Sequence, residues 1–147
     1  MISNINLKFL QIPLILISTT LIVCGIRWLS HDQPWILDQI ANEERLNMSF
    51  DELFLINGNQ TLNAYLTQIY RFLGLYVLGI GVLLISFSSK KILKINIVRK
   101  RVLTVLGFLL FSNLILAYIW IPSSHFIYVI WSTIVLYVIS LYVNKKY

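Results

Sequence analysis

Four long apolar runs, separated by shorter polar stretches, dominate the pattern of this chain of 147 residues. The runs cover residues 9–29, 66–89, 102–121 and 125–143. Each holds roughly 20 mostly apolar residues, and at about 1.5 Å of rise per residue an α-helix of that length crosses a hydrocarbon layer roughly 30 Å thick. The pattern therefore predicts an all-α fold: a polytopic membrane protein built as a four-transmembrane-helix bundle.

The stretch between the first two runs, residues 31–65, is more polar and is predicted to form a short external helical lid. It opens with "DQPWILDQIANEERLNM", in which Asp32 or Gln33 can cap a helix that has Pro34 in its first turn. A second short helix is predicted to begin at the capping box "SFDE", residues 49–52, and to end at Gly58. The apolar side of the first helix is expected to comprise Trp35, Ile36, Ile40 and Leu46.

Composition indicates that lipid is part of the surroundings of this chain. Hydrophobic residues make up 58% of it and charged residues only 12%, and the mean hydropathy is +0.77. A soluble domain with this balance would have too little polar surface to cover itself. The lipid bilayer is therefore a predicted partner. Residues 1–147 are expected to form one membrane domain, because no linker-like segment divides them.

The charged residues are segregated along the chain, whose formal net charge is +6. All the acidic residues fall in the predicted lid: Asp32, Asp38, Glu43, Glu44, Asp51 and Glu52. Two other stretches contain basic residues and no acid: Lys90, Lys91, Lys94, Arg99, Lys100 and Arg101, then Lys145 and Lys146. This segregation predicts basic segments and both termini in the cytoplasm, and it argues against a nucleic-acid partner. The bias toward Ile, Asn and Lys is typical of an AT-rich bacterial genome, and it therefore favours the inner membrane of a bacterium.

The second span contains an arginine at a depth where lipid-exposed charge is costly. Drawn at about 100° per residue, its helix carries Arg71 on the side of the predicted contact seam. The small or polar residues on that side are Gly74, Gly81 and Ser88. Small residues allow helices to pack closely in lipid, so Arg71 is expected to point into the bundle near its outer rim. A similar series in the first span brings Arg27 to the same level.

Three roles for these arginines are compatible with the sequence. Acidic side chains of the lid can pair with Arg27 and Arg71, which would pin the lid to the bundle. Alternatively, both arginines line an outward-facing pocket that accepts a phosphate headgroup or a carboxylate. The third role is an exposed arginine that reaches the lipid headgroups without a partner. The residues of this candidate site are Arg27, Arg71, His31, His125, Tyr70 and Tyr128.

The sequence carries no glycine-rich phosphate loop, nucleophile elbow or paired-cysteine motif. His31 and His125 lie on separate segments without a neighbouring ligand motif, which favours histidines at the membrane rim over a metal site. The spans hold no carboxylate, which argues against an ion-coupled transporter. No catalytic residue, metal or cofactor is therefore predicted. Asn113, which is polar and near mid-membrane, is expected to bond a neighbouring helix.

Cys24 is the only cysteine, so no internal disulfide can form. We expect it to be a small packing residue. An alternative is a cleaved, lipid-anchored form that begins at Cys24, but bulky Val23 then occupies a position that needs a small residue.

A resemblance to a known family rests on "NAYLTQIYRFLGLYVLGIGVLLISFSSKK", the basic linker after it and the later turn "IPSS". In these features, which cover spans two to four, the chain resembles a family of small bacterial four-helix integral membrane proteins of unknown function. The chain departs from that family at the outer ends of spans three and four, where Trp120 and Trp131 replace charged residues. The resemblance implies a four-span fold and no particular activity, cofactor or catalytic residue.

These observations favour a non-catalytic membrane module, an accessory subunit that docks on a partner membrane protein or forms a homo-oligomer. Gly79 lies off the predicted seam and offers a second close-packing face for such a contact. One alternative is a lipid- or quinone-handling membrane enzyme with an outward-facing arginine pocket, and another is an immunity protein against a pore-forming toxin. Arginines closed by lid acids would indicate docking, whereas an open cleft with unpaired donors would indicate ligand handling.

Overall fold

The structure, a computed structural model that describes residues 4–146, is built from helices. They are α1 (Asn4–Ser30), a 3-10 helix (Pro34–Asp38), α2 (Gln39–Leu46), α3 (Phe50–Leu55), α4 (Leu62–Phe87), α5 (Lys90–Leu93), α6 (Asn96–Trp120) and α7 (Phe126–Lys145). By length and composition α1, α4, α6 and α7 can each cross a membrane. The predicted all-α four-helix bundle is confirmed. The ends of the predicted domain, residues 1–3 and 147, lie outside the described residues.

Helices α1 and α4 pack backbone to backbone along a seam of small residues. A Cβ atom added to Gly25 would lie 2.6 Å from the Leu78 amide nitrogen and 2.7 Å from the Gly74 carbonyl oxygen. One at Gly81 would lie 3.0 Å from the carbonyl oxygen of Ser18. Glycine therefore permits an approach that no larger residue allows, as is typical of helix pairs in lipid. Sequence periodicity predicts Gly74 and Gly81 on a contact seam, but it does not indicate Gly25 on the facing helix.

The four long helices are arranged in the order α4, α1, α7, α6. Extensive backbone contacts join α1 to α4, α1 to α7 and α6 to α7, while α4 and α6 approach each other at few points at most. At Gly107 of α6 a Cβ would collide with the Tyr137 ring, so this glycine lets the ring seat against α6. The bundle is thus an arc with α1 and α7 in its middle and α4 and α6 at its two ends.

The solid core lies toward the end of the bundle that carries the basic residues. Its buried members are Leu7, Leu10, Leu14, Ile17, Leu84, Leu93, Leu103, Leu106, Leu110, Ile134 and Tyr137. The buried α1 residues of this cluster all come from the first half of the helix. In the other half, toward the lid, fewer side chains fill the space between the helices.

The basic stretch is structured, and one of its cations is buried. Helix α6 begins at Asn96, six residues before the predicted span, and the short helix α5 precedes it. The basic segment 90–101 is therefore mostly helical. Arg99 is only 5% exposed. It donates from Nε to Asn144 Oδ1 (2.7 Å), from Nη1 to the Leu93 carbonyl (2.9 Å) and from Nη2 to Asn96 Oδ1 (3.0 Å). These bonds tie α5, α6 and α7 together.

The first half of the lid differs from its prediction. Residues 34–38 form a 3-10 helix, and of the predicted apolar side only Trp35 is buried, at 2% exposed. Ile36, Ile40 and Leu46 do not pack into the protein, and Ile40 is 78% exposed. Within residues 34–38, the three residues per turn of a 3-10 helix shift the buried positions from those of an α-helix. Leu37 and Ala41 are buried instead.

The second half of the lid follows its prediction at the helix start. Ser49 and Glu52 form the predicted capping box, in which the Glu52 amide donates to Ser49 Oγ (3.2 Å) and the Ser49 amide donates to Glu52 Oε2 (2.8 Å). The backbone hydrogen bond from Ser49, with a second bond from its hydroxyl, lowers the pKa of Glu52. Helix α3 ends at Leu55, three residues before Gly58, which has a φ of 99° in the following turn.

The close approach at Gly25 predicts that Gly25→Ala lowers the free energy of unfolding by about 1–3 kcal/mol, because the methyl group forces two backbones apart. Gly79→Ala is the matched control: a Cβ at Gly79 meets nothing within 4 Å, so this change should be neutral or slightly stabilising. Unfolding in mixed detergent micelles measures both. Equal stability of the two variants would contradict the described seam.

Candidate functional site

A cavity of about 670 Å³ occupies the half of the bundle that lies toward the lid. Its lining positions on α6 run from Leu106 to Trp120, roughly 21 Å along a helix that rises about 1.5 Å per residue. The wall is almost entirely apolar, with Leu73 of α4, Leu116 of α6 and Val129 of α7 among its members. The cavity therefore extends from the lid to about the middle of the membrane.

The mouth of the cavity lies between α4 and α6. Lining residues on these two helices are also exposed, among them Leu73 (43% exposed), Leu116 (54%) and Trp120 (53%). Lining residues on α1 and α7, such as Cys24 and Thr133, are half-buried or buried. The opening follows from the arc described above, since α4 and α6 stand apart. It faces sideways, where a membrane would place lipid chains.

A small group of polar side chains closes the lid end of the cavity. This polar cap consists of Asp38 and Asn42 from the lid, Tyr70 from α4 and Trp28 from α1. Asn42 Nδ2 donates to the Tyr70 hydroxyl at 3.0 Å and lies 3.4 Å from the Trp35 carbonyl oxygen. The Trp28 ring packs against Phe126, with ring centroids 4.8 Å apart.

Asp38 is the residue that attaches the lid to the turn between α6 and α7. It is only 8% exposed, the Ser124 hydroxyl donates to its Oδ2 at 2.6 Å, and His125 Nδ1 lies within ion-pair distance of its Oδ1, at 3.2 Å. Ser124 is itself buried and accepts a bond from the Phe126 amide at 3.1 Å. A buried carboxylate needs hydrogen-bond or ion-pair partners, and because Asp38 finds them in the turn between α6 and α7, these contacts fix the lid above the cavity.

Two further contacts join α2 of the lid to the same side of the bundle. The Ser123 hydroxyl donates to the Glu44 carboxylate. The guanidinium carbon of Arg45 lies 4.8 Å from the centre of the Trp120 ring, a cation–π arrangement. The lid is thus held through Glu44, which accepts from the Ser123 hydroxyl, and through Arg45, which lies over the Trp120 ring.

Two donors of the polar cap have no acceptor among the residues that the structure describes. The Trp28 Nε1 atom is buried and makes no hydrogen bond. The Tyr70 oxygen accepts from Asn42, and its own proton is given to no described residue. A buried donor without a partner, such as Trp28 Nε1, is rare in folded proteins, because an unmade bond costs about 1–3 kcal/mol. Both residues line the cavity.

The arginines of the predicted site are placed elsewhere. Arg27 is exposed in the last turn of α1, where its charge suits the helix C-terminus. Arg71 is half-buried, and its Nε is buried without a hydrogen-bond partner in the described part of the chain. Neither lines the cavity. Among the side chains that the structure describes, residues 7–146, the one pair within ion-pair distance is His125 with Asp38, so no lid acid is paired with Arg27 or Arg71.

The remaining predicted residues fall in several places. His31 Nδ1 accepts from the Gln33 amide at 3.1 Å, a local contact just after α1. Tyr128 is exposed beside a second, smaller depression of about 260 Å³. Ser88 is buried and bonds the Leu84 carbonyl at 2.7 Å. Asn113 does not bond a neighbouring helix as expected: its amide donates to the Leu109 carbonyl of its own helix at 2.8 Å, and it lines the cavity.

Two residues of the predicted candidate site lie at the polar cap. Tyr70 is a member of the cap, and His125 contacts Asp38, another member. Sequence reasoning missed Trp28, Asn42 and Ser124, and the one usable signal was the polar "SS" pair after Pro122. No group of three side chains suited to a metal ion occurs in the described part of the chain. A long apolar wall with a small hydrogen-bonding end is suited to an amphiphile.

Comparisons of this chain with protein-family models, with curated protein sequences and with solved structures gave no match. The resemblance to a family of small four-helix membrane proteins therefore stays a prediction. The features that bear on function are the cavity, its mouth between α4 and α6 and the polar cap under the lid.

Proposed function

We propose that this protein binds an amphiphile, whose chain enters the cavity from the membrane between α4 and α6. The observation that carries the proposal is the cavity itself: about 670 Å³, nearly apolar and closed at one end by the polar cap. Ligand sites in proteins typically have about 300–1,000 Å³ and combine apolar walls with a few polar groups. The proposed ligand lies with its chain toward mid-membrane and its headgroup under the lid.

An empty cavity of this size would be unfavourable in a protein that lies next to lipid. Side chains facing a void lose dispersion contacts on that side, whereas protein interiors are packed as densely as organic crystals. Water is a poor filler, because Leu73, Leu116 and Val129 offer it no hydrogen bonds. A hydrocarbon chain restores the lost contacts. The lid above the cavity leaves the side between α4 and α6 as the entry path.

We further propose that the basic end faces the cytoplasm of a bacterium and that the lid lies outside the inner membrane, as the charge pattern predicts. The cavity then opens to the outer leaflet. In a Cys24→Ser background, a membrane-impermeant maleimide added to intact cells should modify Asn57→Cys in the lid and spare Lys94→Cys. Both positions are exposed. The reverse labelling pattern would overturn this orientation.

Filling the cavity should remove the bound amphiphile. Val129→Trp places a large ring at a half-buried lining position of α7, and it should reduce the amount of co-purified amphiphile about tenfold. Val135→Trp is the control, because Val135 lies on the same helix, is 58% exposed and does not line the cavity. Native mass spectrometry of each variant, purified in mild detergent, measures the bound fraction and the ligand mass.

Two outcomes of this experiment would contradict the proposal. One is a wild-type protein that carries no amphiphile from the membrane at any detergent concentration that preserves its fold. The other is equal occupancy of Val129→Trp and Val135→Trp, which would place the amphiphile on the outer surface of the bundle.

A second candidate function is docking on a partner membrane protein or on a second copy of the chain. The observation in its favour is Gly79, which is exposed on α4 with no atom within 4 Å of an added Cβ. An exposed glycine has no side chain, so the backbone of another helix can approach it closely. Co-elution of a protein that is lost on Gly79→Leu would favour docking. An immunity function against a pore-forming toxin stays a special case of this candidate.

A further inference from the structure

We infer that the ligand's headgroup is uncharged and presents an oxygen acceptor, a carbonyl or a hydroxyl, to Trp28 and Tyr70. This inference rests on the proposed function and adds to it the chemical class of the amphiphile. It follows from the charges and the free hydrogen-bonding groups of the polar cap. It also departs from the phosphate or carboxylate ligand that an arginine pocket would accept.

The charges around the cap disfavour an anionic headgroup. Asp38 is the one Asp or Glu that lines the cavity, and no lysine or arginine lines it. The acidic side chain is held in place by Ser124 and His125, so it cannot swing away from a ligand. In an apolar cavity, a phosphate next to a carboxylate meets repulsion that little water screens. Recognition of a phosphate normally uses arginine or lysine, and both Arg27 and Arg71 lie off the cavity.

The free donors of the cap disfavour a cationic headgroup. Trp28 Nε1–H and the Tyr70 hydroxyl proton have no acceptor among the described residues. An ammonium group has donors only, so it would leave both unsatisfied. Asp38 already has Ser124 and His125 as partners, and this weakens its attraction for a further donor.

A carbonyl or hydroxyl oxygen meets the requirements of the cap. It carries no net charge beside Asp38, and its lone pairs can accept from Trp28 and from Tyr70. The deeper lining is apolar apart from scattered groups such as Thr20, Asn113 and Thr133, so the rest of the ligand is hydrocarbon. Membranes supply this chemistry from two sources, neutral glycerolipids and isoprenoid quinones.

Competition between probes of one chain length tests the inference. The full-length protein in nanodiscs is photo-crosslinked to a long-chain ketone that bears a diazirine, and hexadecanol, hexadecyl phosphate and hexadecylammonium are added as competitors. Hexadecanol should compete at least tenfold better than either charged probe. Diacylglycerol and an isoprenoid quinone, added in separate arms, identify the natural source by which of them competes better.

Matched variants assign the recognition to the two donors. Trp28→Phe and Tyr70→Phe should each weaken competition by hexadecanol about threefold to tenfold, the loss of one neutral hydrogen bond. Tyr128→Phe is the control and should change nothing, because Tyr128 is exposed and lies off the cavity.

The outcomes separate this inference from the proposed function. If hexadecyl phosphate or hexadecylammonium competes as well as hexadecanol, the inferred headgroup class is wrong while the cavity still binds an amphiphile. If Trp28→Phe and Tyr70→Phe behave like Tyr128→Phe, the two donors do not recognise the headgroup. If the ketone probe does not crosslink to residues of the cavity, the proposed function itself fails.

Discussion

The architecture depends on the contact between the backbones of α1 and α4 at Gly25 and Gly74. In lipid, two apolar helices gain little from burying their surfaces against each other, because the lipid chains are also apolar. Close packing of small residues must therefore hold them together. Here the packing is tight enough that a single methyl group at Gly25 would meet the facing backbone at 2.6 Å. With α4 on one side of α1 and α7 on the other, α6 contacts α7 and stands away from α4. The cavity is the space that this arrangement leaves.

The two halves of the bundle are built differently, and the difference is chemical. Toward the basic end, leucines fill the interior and the hydrogen bonds of Arg99 join α5, α6 and α7, so this half is solid. Toward the lid the interior is hollow, and Asp38 with Ser124 and His125 closes its end. A rigid base and a covered cavity are what a binding site for a membrane-dissolved molecule needs.

The features that periodicity and segment length determine could be predicted from the sequence. Four spans, the lid and the Ser49–Glu52 capping box follow from local rules, and Gly74 and Gly81 share a helix side by spacing alone. The predicted site centred on Arg27 and Arg71 because charge in a span is the strongest signal that a sequence offers. The polar cap joins Trp28, Asp38, Asn42 and Tyr70 from three separate segments, and the register between those segments is set by tertiary packing. The buried role of Arg99 was hidden for the same reason, since its partner Asn144 lies 45 residues away.

The central claim is that a hydrocarbon chain from the bilayer reaches the interior of the bundle, and the single cysteine measures it directly. Cys24 lines the cavity, so a maleimide carrying a long alkyl chain, dissolved in the membrane of proteoliposomes, should modify it at a rate close to that of Val23→Cys in a Cys24→Ser background. Val23 is 58% exposed, and Ser18→Cys in that background, at a position 0% exposed, should stay unmodified. A Cys24 as unreactive as the cysteine at position 18 would show that no chain enters the cavity.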